Sequence, residues 1–186
     1  MRGRDLWQVL AIERQVFPDD PWTTDTAKGW LTRSTRGGQA RHAAGLARFI
    51  RFVRLKEGIA LGKLVRLVAM GQPHGLSYVV AETDAGAGIA GYACLDTAEG
   101  GEAWIGAIAV RPERRGQKVG TKLLSELIAI AAARECREIF LDVRADNDGA
   151  YRLYRRTGFT DAGVRPGYFQ PSGTDSIVMR LVSPGS

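Results

Sequence analysis

From Ala103 to Val110 the chain is almost wholly apolar. It then meets Pro112, crosses a charged turn containing Gly116, and from Gly120 to Arg134 sets Leu123, Leu124, Leu127, Ile128 and Ala131 on one helical face. A strand, a glycine turn and an amphipathic helix in that order make a strand–turn–helix unit, which limits the folds open to the chain. Such a turn directs successive main-chain NH groups, at the positive end of a helix dipole, toward whatever lies above them, and a pyrophosphate suits that position. An ordinary strand-to-helix loop with its arginines in solvent has the same composition, so the unit alone leaves both readings open.

The rest of the pattern extends that unit into a sheet. Leu76–Ala81 and Ile89–Leu95 read as strands joined by the glycine-rich stretch 84–88, a hairpin. Ile139–Val143 reads as a strand and Asp148–Arg156 as a helix stopped by Gly158. Phe159–Val164 and Ser176–Val182 read as two closing strands around a proline and glycine turn. Strands and helices interleave, so the expected class is α/β (α+β), a mixed central sheet flanked by helices. Towards the N-terminus, Leu6, Val9, Leu10, Ile12 and Val16 predict a helix over 5–16, with Asp5 as N-cap and Pro18 beyond its end. Thr23 or Thr24 would cap a second helix reaching about Thr32. From Leu46 to Met70, apolar residues at steps of three and four predict one or two basic amphipathic helices, broken near Gly58 or Gly62. The 186 residues suffice for one domain with a sizeable core, expected over 1–182 with a loose tail at 183–186.

Charge is distributed unevenly. Of 26 Lys and Arg, nine fall between residues 33 and 66 against a single acid, Glu57, so the chain's net +6 belongs to that segment. An anionic partner such as RNA, the ribosome, an acidic carrier protein or an anionic membrane surface would be drawn there, with Arg48, Arg51 and Arg54 lining one helical stripe; a solvated helix face has the same pattern. Two cysteines, Cys94 and Cys136, stand in no paired or metal-like spacing, and the N-terminus lacks the apolar core of a secretory signal, so the setting is expected to be cytoplasmic. No apolar run is long enough to span a bilayer. No cluster with metal-ligand spacing is visible.

Two stretches carry a family resemblance. Ala109-Val110-Arg111-Pro112-Glu113-Arg114-Arg115-Gly116-Gln117-Lys118-Val119-Gly120-Thr121 is similar to the pyrophosphate motif Arg/Gln-x-x-Gly-x-Gly/Ala of the GNAT acyl-CoA-dependent N-acetyltransferases. Arg115 and Gly120 match, while Lys118 stands where the pattern has its first glycine; if that position needs a positive φ, Lys is strained. Leu141-Asp142-Val143-Arg144 through Asn147, Ala150, Leu153-Tyr154 and Gly158-Phe159 resembles Leu-Glu-Val-Arg-x-x-Asn-x-x-Ala-x-x-Leu-Tyr-x-x-x-Gly-Phe of the RimI-type subgroup, which acetylates the N-terminal amine of a ribosomal protein. The resemblance covers 5–32 and 76–182 and leaves a basic helical insertion at about 33–75. The family fold opens with a strand before its first helix. Four residues precede Asp5 here, so that edge strand is expected to be lost or to lie outside the sequence.

The resemblance implies acetyl-CoA as co-substrate, with Arg115, Gly116, Gln117, Lys118, Val119, Gly120 and Thr121 around the pyrophosphate and Asn147 hydrogen-bonded to the cofactor. Main-chain NH groups of Ile108, Ala109 and Val110 would hold the pantetheine arm and polarise the thioester carbonyl. Tyr154 falls where the family has its general acid; a packed aromatic on an amphipathic helix is the plainer reading. Asp142 replaces the subgroup's strand glutamate and reaches about 1.5 Å less far, so its proton transfer would pass through a water. Glu102 is the rival base, and both carboxylates could simply be solvated. His42 and His74 lie outside every matching motif. Tyr168 and Phe169, on the final turn, resemble the lining of the acceptor groove. The expected acceptor is the N-terminal α-amine of a protein or peptide; a small-molecule amine, or a binding module docked through the basic segment, are the alternatives.

Overall fold

The computed structural model describes residues 3–16, 51–53, 66–71, 75–83, 88–98 and 100–182. Helix α1 (Gly3–Val16) is followed by strands β1 (Arg51–Val53), β2 (Arg66–Gly71), β3 (Ser77–Glu82), β4 (Ile89–Thr97) and β5 (Glu102–Val110). A short 3-10 turn (Pro112–Arg114) leads into α2 (Val119–Ala133), then β6 (Glu138–Arg144), α3 (Asp148–Arg156), β7 (Thr160–Phe169) and β8 (Thr174–Val182). The strands form one sheet in the order β1-β2-β3-β4-β5-β6-β8-β7. β5 and β6 run parallel, and the other described neighbours are antiparallel.

Two cores sandwich this sheet. On one face α2 sinks Val119, Leu123, Leu124, Leu127 and Ala131 among Val79, Ala81, Ala93 and Leu95, and α3 adds Tyr154. On the other, Val9 and Ile12 of α1 meet Val80, Ile89 and Tyr92. The division follows the alternation of strand side chains: Val79 and Ala81 point one way, Val80 the other. Burying a leucine-sized side chain stabilises by about 1.5–3 kcal/mol, so this two-sided packing holds the sheet.

β5 breaks the alternation, and the break matters below. Ala103 and Ile105 face the α2 core, yet Ala109, an even number of positions further on, faces the α1 core. A register shift against β4 at Cys94/Leu95 places one extra residue, Gly106, in β5. One inserted residue reverses the facing of everything after it and bends the strand. Gly91 of β4 fixes the far end: a Cβ there would stand 2.6 Å from the Ala109 carbonyl oxygen, so only glycine lets β4 close onto β5.

Several expectations need correction. The helical reading of 46–70 fails at 51–53 and 66–71, which are strands. A short apolar run such as Leu67-Val68-Ala69-Met70 satisfies either period, and here β2 pairs with β3 along its whole length, from Arg66↔Glu82 to Gly71↔Ser77. Arg51 therefore sits in a strand, which ends the idea of one helical stripe through Arg48, Arg51 and Arg54. β2 also covers the outer edge of β3. β7 runs past Val164 to Phe169, so Tyr168 and Phe169 lie at a strand end and the turn follows at 170–173. The second helix expected near 24–32, His42, His74 and the tail at 183–186 lie outside the described residues. Among those residues no helix is long and apolar enough to cross a membrane.

Candidate active site

β5 and β6 pair from Glu102↔Glu138 to Ile105↔Leu141 and no further. Each then keeps its outer neighbour: β5 follows β4 to Val110↔Gly91, and β6 follows β8 to Arg144↔Ser176. The two strands thus part at the Gly106 bulge. The inner edge of β5 from Gly106 to Val110, including Ile108, Ala109 and Val110, faces a gap in the sheet rather than a strand.

Below the gap the chain passes through the turn into α2. Arg115 and Gln117 are exposed, Gly116 has φ +75 with nothing within 4 Å of a Cβ position, and Lys118 is the N-cap residue. Lys118 adopts φ 59, ψ 15, the left-handed region, so the strain expected of a lysine at this position is present. No side chain caps α2, which leaves the first-turn amides at Val119, Gly120 and Thr121 without side-chain partners. A Cβ on Gly120 would lie 3.4 Å from Leu153 and 3.7 Å from Val110. The start of α2, the end of β5 and the helix carrying Tyr154 therefore meet at Gly120.

Tyr154 lies in the core on the α2 face of the sheet. It is 7% exposed, its ring is tilted on Phe159 at 5.9 Å, and burial pushes its phenol up to about 12, so it is protonated at neutral pH. Asn147 opens the same helix: its Oδ1 accepts the Ala150 amide at 3.1 Å, leaving its side-chain NH2 group outward on an exposed residue.

Asp142 approaches from the opposite face, since its neighbours Leu141 and Val143 point into the α2 core. Ser176 Oγ donates to Asp142 Oδ1 at 2.6 Å, and Arg165 Nη1 donates to Oδ2 at 3.2 Å. Arg165 also lies over Trp104 at 5.5 Å and Tyr168 at 5.4 Å. Trp104 stacks on Phe140 at 5.1 Å, and Tyr168 meets Phe169 edge-on at 5.2 Å. The structure thus brings Asp142 and Tyr168 together around Arg165, while Tyr154 is buried in the core on the opposite face of the sheet. Glu102 is not part of this group. It is exposed and paired in register with Glu138, at the far end of β5 from the turn.

Sequence reading missed Trp104, Arg165 and Ser176. The register of β6 on β8, which carries Ser176 to Asp142, is a long-range fact. A lone arginine ahead of Pro166-Gly167-Tyr168-Phe169 was the one local sign.

Parallel strands that part above an uncapped helix make a cleft in a mixed α/β sheet. The chain belongs to the Acetyltransferase (GNAT) family, whose model matches residues 50–159. That match opens at residue 50, inside the stretch expected as an insertion. Over 93 residues the chain is 38% identical to N-alpha-acetyltransferase RimI of Mycobacterium tuberculosis, which covers 50% of this chain and 57% of that relative. Over 81 residues it is 41% identical to mycothiol acetyltransferase of Clavibacter michiganensis, covering 44% of this chain and 26% of the relative. The chain spans about half the length of the curated relatives it matches, or less. Its fold matches the crystal structure of the ribosomal-protein-S18-alanine N-acetyltransferase from Escherichia coli with a TM-score of 0.63 at 22% identity, over 98% of this chain and 90% of that one.

Proposed function

We propose that this chain is an acetyl-CoA-dependent N-acetyltransferase that transfers an acetyl group directly to a primary amine, the N-terminal α-amine of a protein or peptide. The observation that carries the reading is the parting of β5 and β6 above the uncapped start of α2. The residues present fit acetyl-CoA. Unclaimed amides and the exposed cations Arg115 and Lys118 suit a diphosphate, and a free strand edge from Gly106 to Val110 suits a chain of amides. Asn147 would add its side-chain NH2 group. Bound acetyl-CoA supplies an acetyl group activated as a thioester.

The protein's part is to place and neutralise. Strand amides alternate in direction, and Arg111 N donates to the Ala90 carbonyl of β4, so Ala109 is turned toward β4 as well; the amides of Ile108 and Val110 are the ones that would donate to an acyl oxygen at the gap. Asp142 would take a proton from the incoming ammonium, directly or through water, and Tyr154 would donate to the departing sulfur. A phenol held at about 12 is a weaker acid than a thiol, whose ordinary value is about 8.5. Tyr154 therefore steadies the sulfur by donating a hydrogen bond. Glu102, remote from the gap, has no part in this scheme. A cytoplasmic setting goes with it, in keeping with the free, buried Cys94 and Cys136.

Acceptance of a peptide N-terminus draws support from the named activity of the Mycobacterium tuberculosis relative. The second reading, a small-molecule amine, draws on the mycothiol acetyltransferase match. Thiol release from acetyl-CoA against a panel of peptides and small amines separates them. Turnover with peptides of free N-terminus, abolished when that amine is blocked, is the expected result. Turnover with a metabolite amine and no peptide would overturn the acceptor assignment.

A further inference from the structure

Arg165 is held as a ligand would be. Two aromatic faces, Trp104 at 5.5 Å and Tyr168 at 5.4 Å, and one carboxylate, Asp142 at 3.2 Å, surround its guanidinium. Aromatic faces joined to a carboxylate are how proteins recognise ammonium groups. The walls of this cage are built and braced separately: Trp104 from β5 rests on Phe140, Asp142 from β6 is oriented by Ser176, and Tyr168 from β7 leans on Phe169. Arg165 itself is the last residue of β7 in register with β8, opposite Ser176, before a break. The β7–β8 register is interrupted between Arg165 and Phe169, with Gly167 at φ 60 inside the break. The side chain of Arg165 is 44% exposed while that of Asp142 is 17% exposed, so the carboxylate is walled in and the cation has a way out.

We propose that Trp104, Tyr168 and Asp142 form the subsite for the acceptor's ammonium group, and that Arg165 fills it as an internal competitor until an acceptor arrives. The inference rests on the acetyltransferase reading and deepens it. An incoming ammonium takes the place of the guanidinium against Asp142. One N–H bond then breaks, its proton passes to the Asp142 carboxylate, and the electron pair stays on the nitrogen, which is now able to attack. Swinging Arg165 out thus couples acceptor arrival to release of the carboxylate from its ion pair.

Binding of ethylammonium, followed by tryptophan fluorescence, tests the cage without any turnover. Arg165→Met is expected to bind the probe about threefold to tenfold more tightly than the wild type, because an exposed cation over aromatic rings contributes modestly. Adding Asp142→Asn to that variant, which keeps Trp104 as the reporter, should abolish the response. In steady-state assays with an acceptor peptide, Arg165→Met should lower KM by a similar factor. Equal or weaker probe binding in Arg165→Met, or a raised KM, overturns the proposal. Should that variant melt early by circular dichroism, Arg165→Gln carries the same expectation. If no amine is turned over by the wild type while the probe still binds more tightly to Arg165→Met, the enzymatic reading falls and the cage stands.

Discussion

On the β5 side of the gap, what faces a ligand is main chain: a free strand edge, a turn held open at Gly116, and helix amides that no side chain caps. Across from it the site is side chain: Asp142 of β6 with Arg165 and Tyr168 of β7, joined by an ion pair and ring contacts and closed by Trp104, which β5 contributes before the two strands part. A main-chain site depends on backbone geometry and tolerates many side chains, as befits a ligand common to a whole family. A side-chain site changes with each substitution, and so can set the acceptor. Tyr154, from α3, is proposed to act between the two. Tyr154→Phe should lower kcat by about tenfold to 100-fold, the scale of one lost hydrogen bond to a charged atom, while calorimetric binding of coenzyme A stays within about twofold. Unchanged turnover would reduce Tyr154 to a packed aromatic and leave the β5 side without a chemical partner.

The difference extends to alkaline pH. Burial raises Tyr154 from 10.0 to about 12 and Cys94 from 9.0 to about 12. Desolvation is the largest cause for both; for Cys94 the nearby Glu13 charge adds to it. Groups that hold their proton more firmly when folded contribute stability that is complete below the unfolded values and lost as pH rises through the folded ones. Urea unfolding should show stability falling between about pH 9 and 12, with Tyr154 alone accounting for on the order of 2 kcal/mol. Tyr154→Phe should flatten the upper part of that slope. A slope that the substitution leaves untouched would mean the phenol is wetter than its packing against Phe159 implies.

The two sides also differed in how far they could be read in advance. The turn, α2 and the Asn147-to-Tyr154 helix were legible because each is local: a proline, a glycine and an apolar stripe suffice. The cage around Arg165 was not, since it depends on which residues of β5, β6 and β7 share a face. The Gly106 bulge that parts β5 from β6 leaves no mark in composition. β2 was misread because its apolar residues satisfy a helical period, and only pairing with β3 decides between the two. Asn147 shows the legible kind at its clearest, a side chain capping the helix it opens. Asn147→Ala should cost about 1 kcal/mol, a fall of roughly 2–4 °C in Tm for a domain of this size. Weaker coenzyme A binding beyond that stability loss would give the Asn147 amide a ligand role on top of its structural one.

Lys118 offers the gentlest test of the claim that main chain makes the β5 side. It holds a left-handed conformation at φ 59, where a Cβ costs roughly 1 kcal/mol. Glycine removes that strain but adds freedom to the unfolded chain, so the two effects largely cancel. Lys118→Gly should shift Tm by no more than about 2 °C. The substitution also deletes one exposed cation from the turn, which should weaken coenzyme A binding about twofold at low salt, with the difference vanishing as salt screens it. A loss of tenfold or more that persists at high salt would mean that the lysine side chain, rather than the amides behind it, grips the phosphates. The β5 side would then be a side-chain site like its neighbour across the gap.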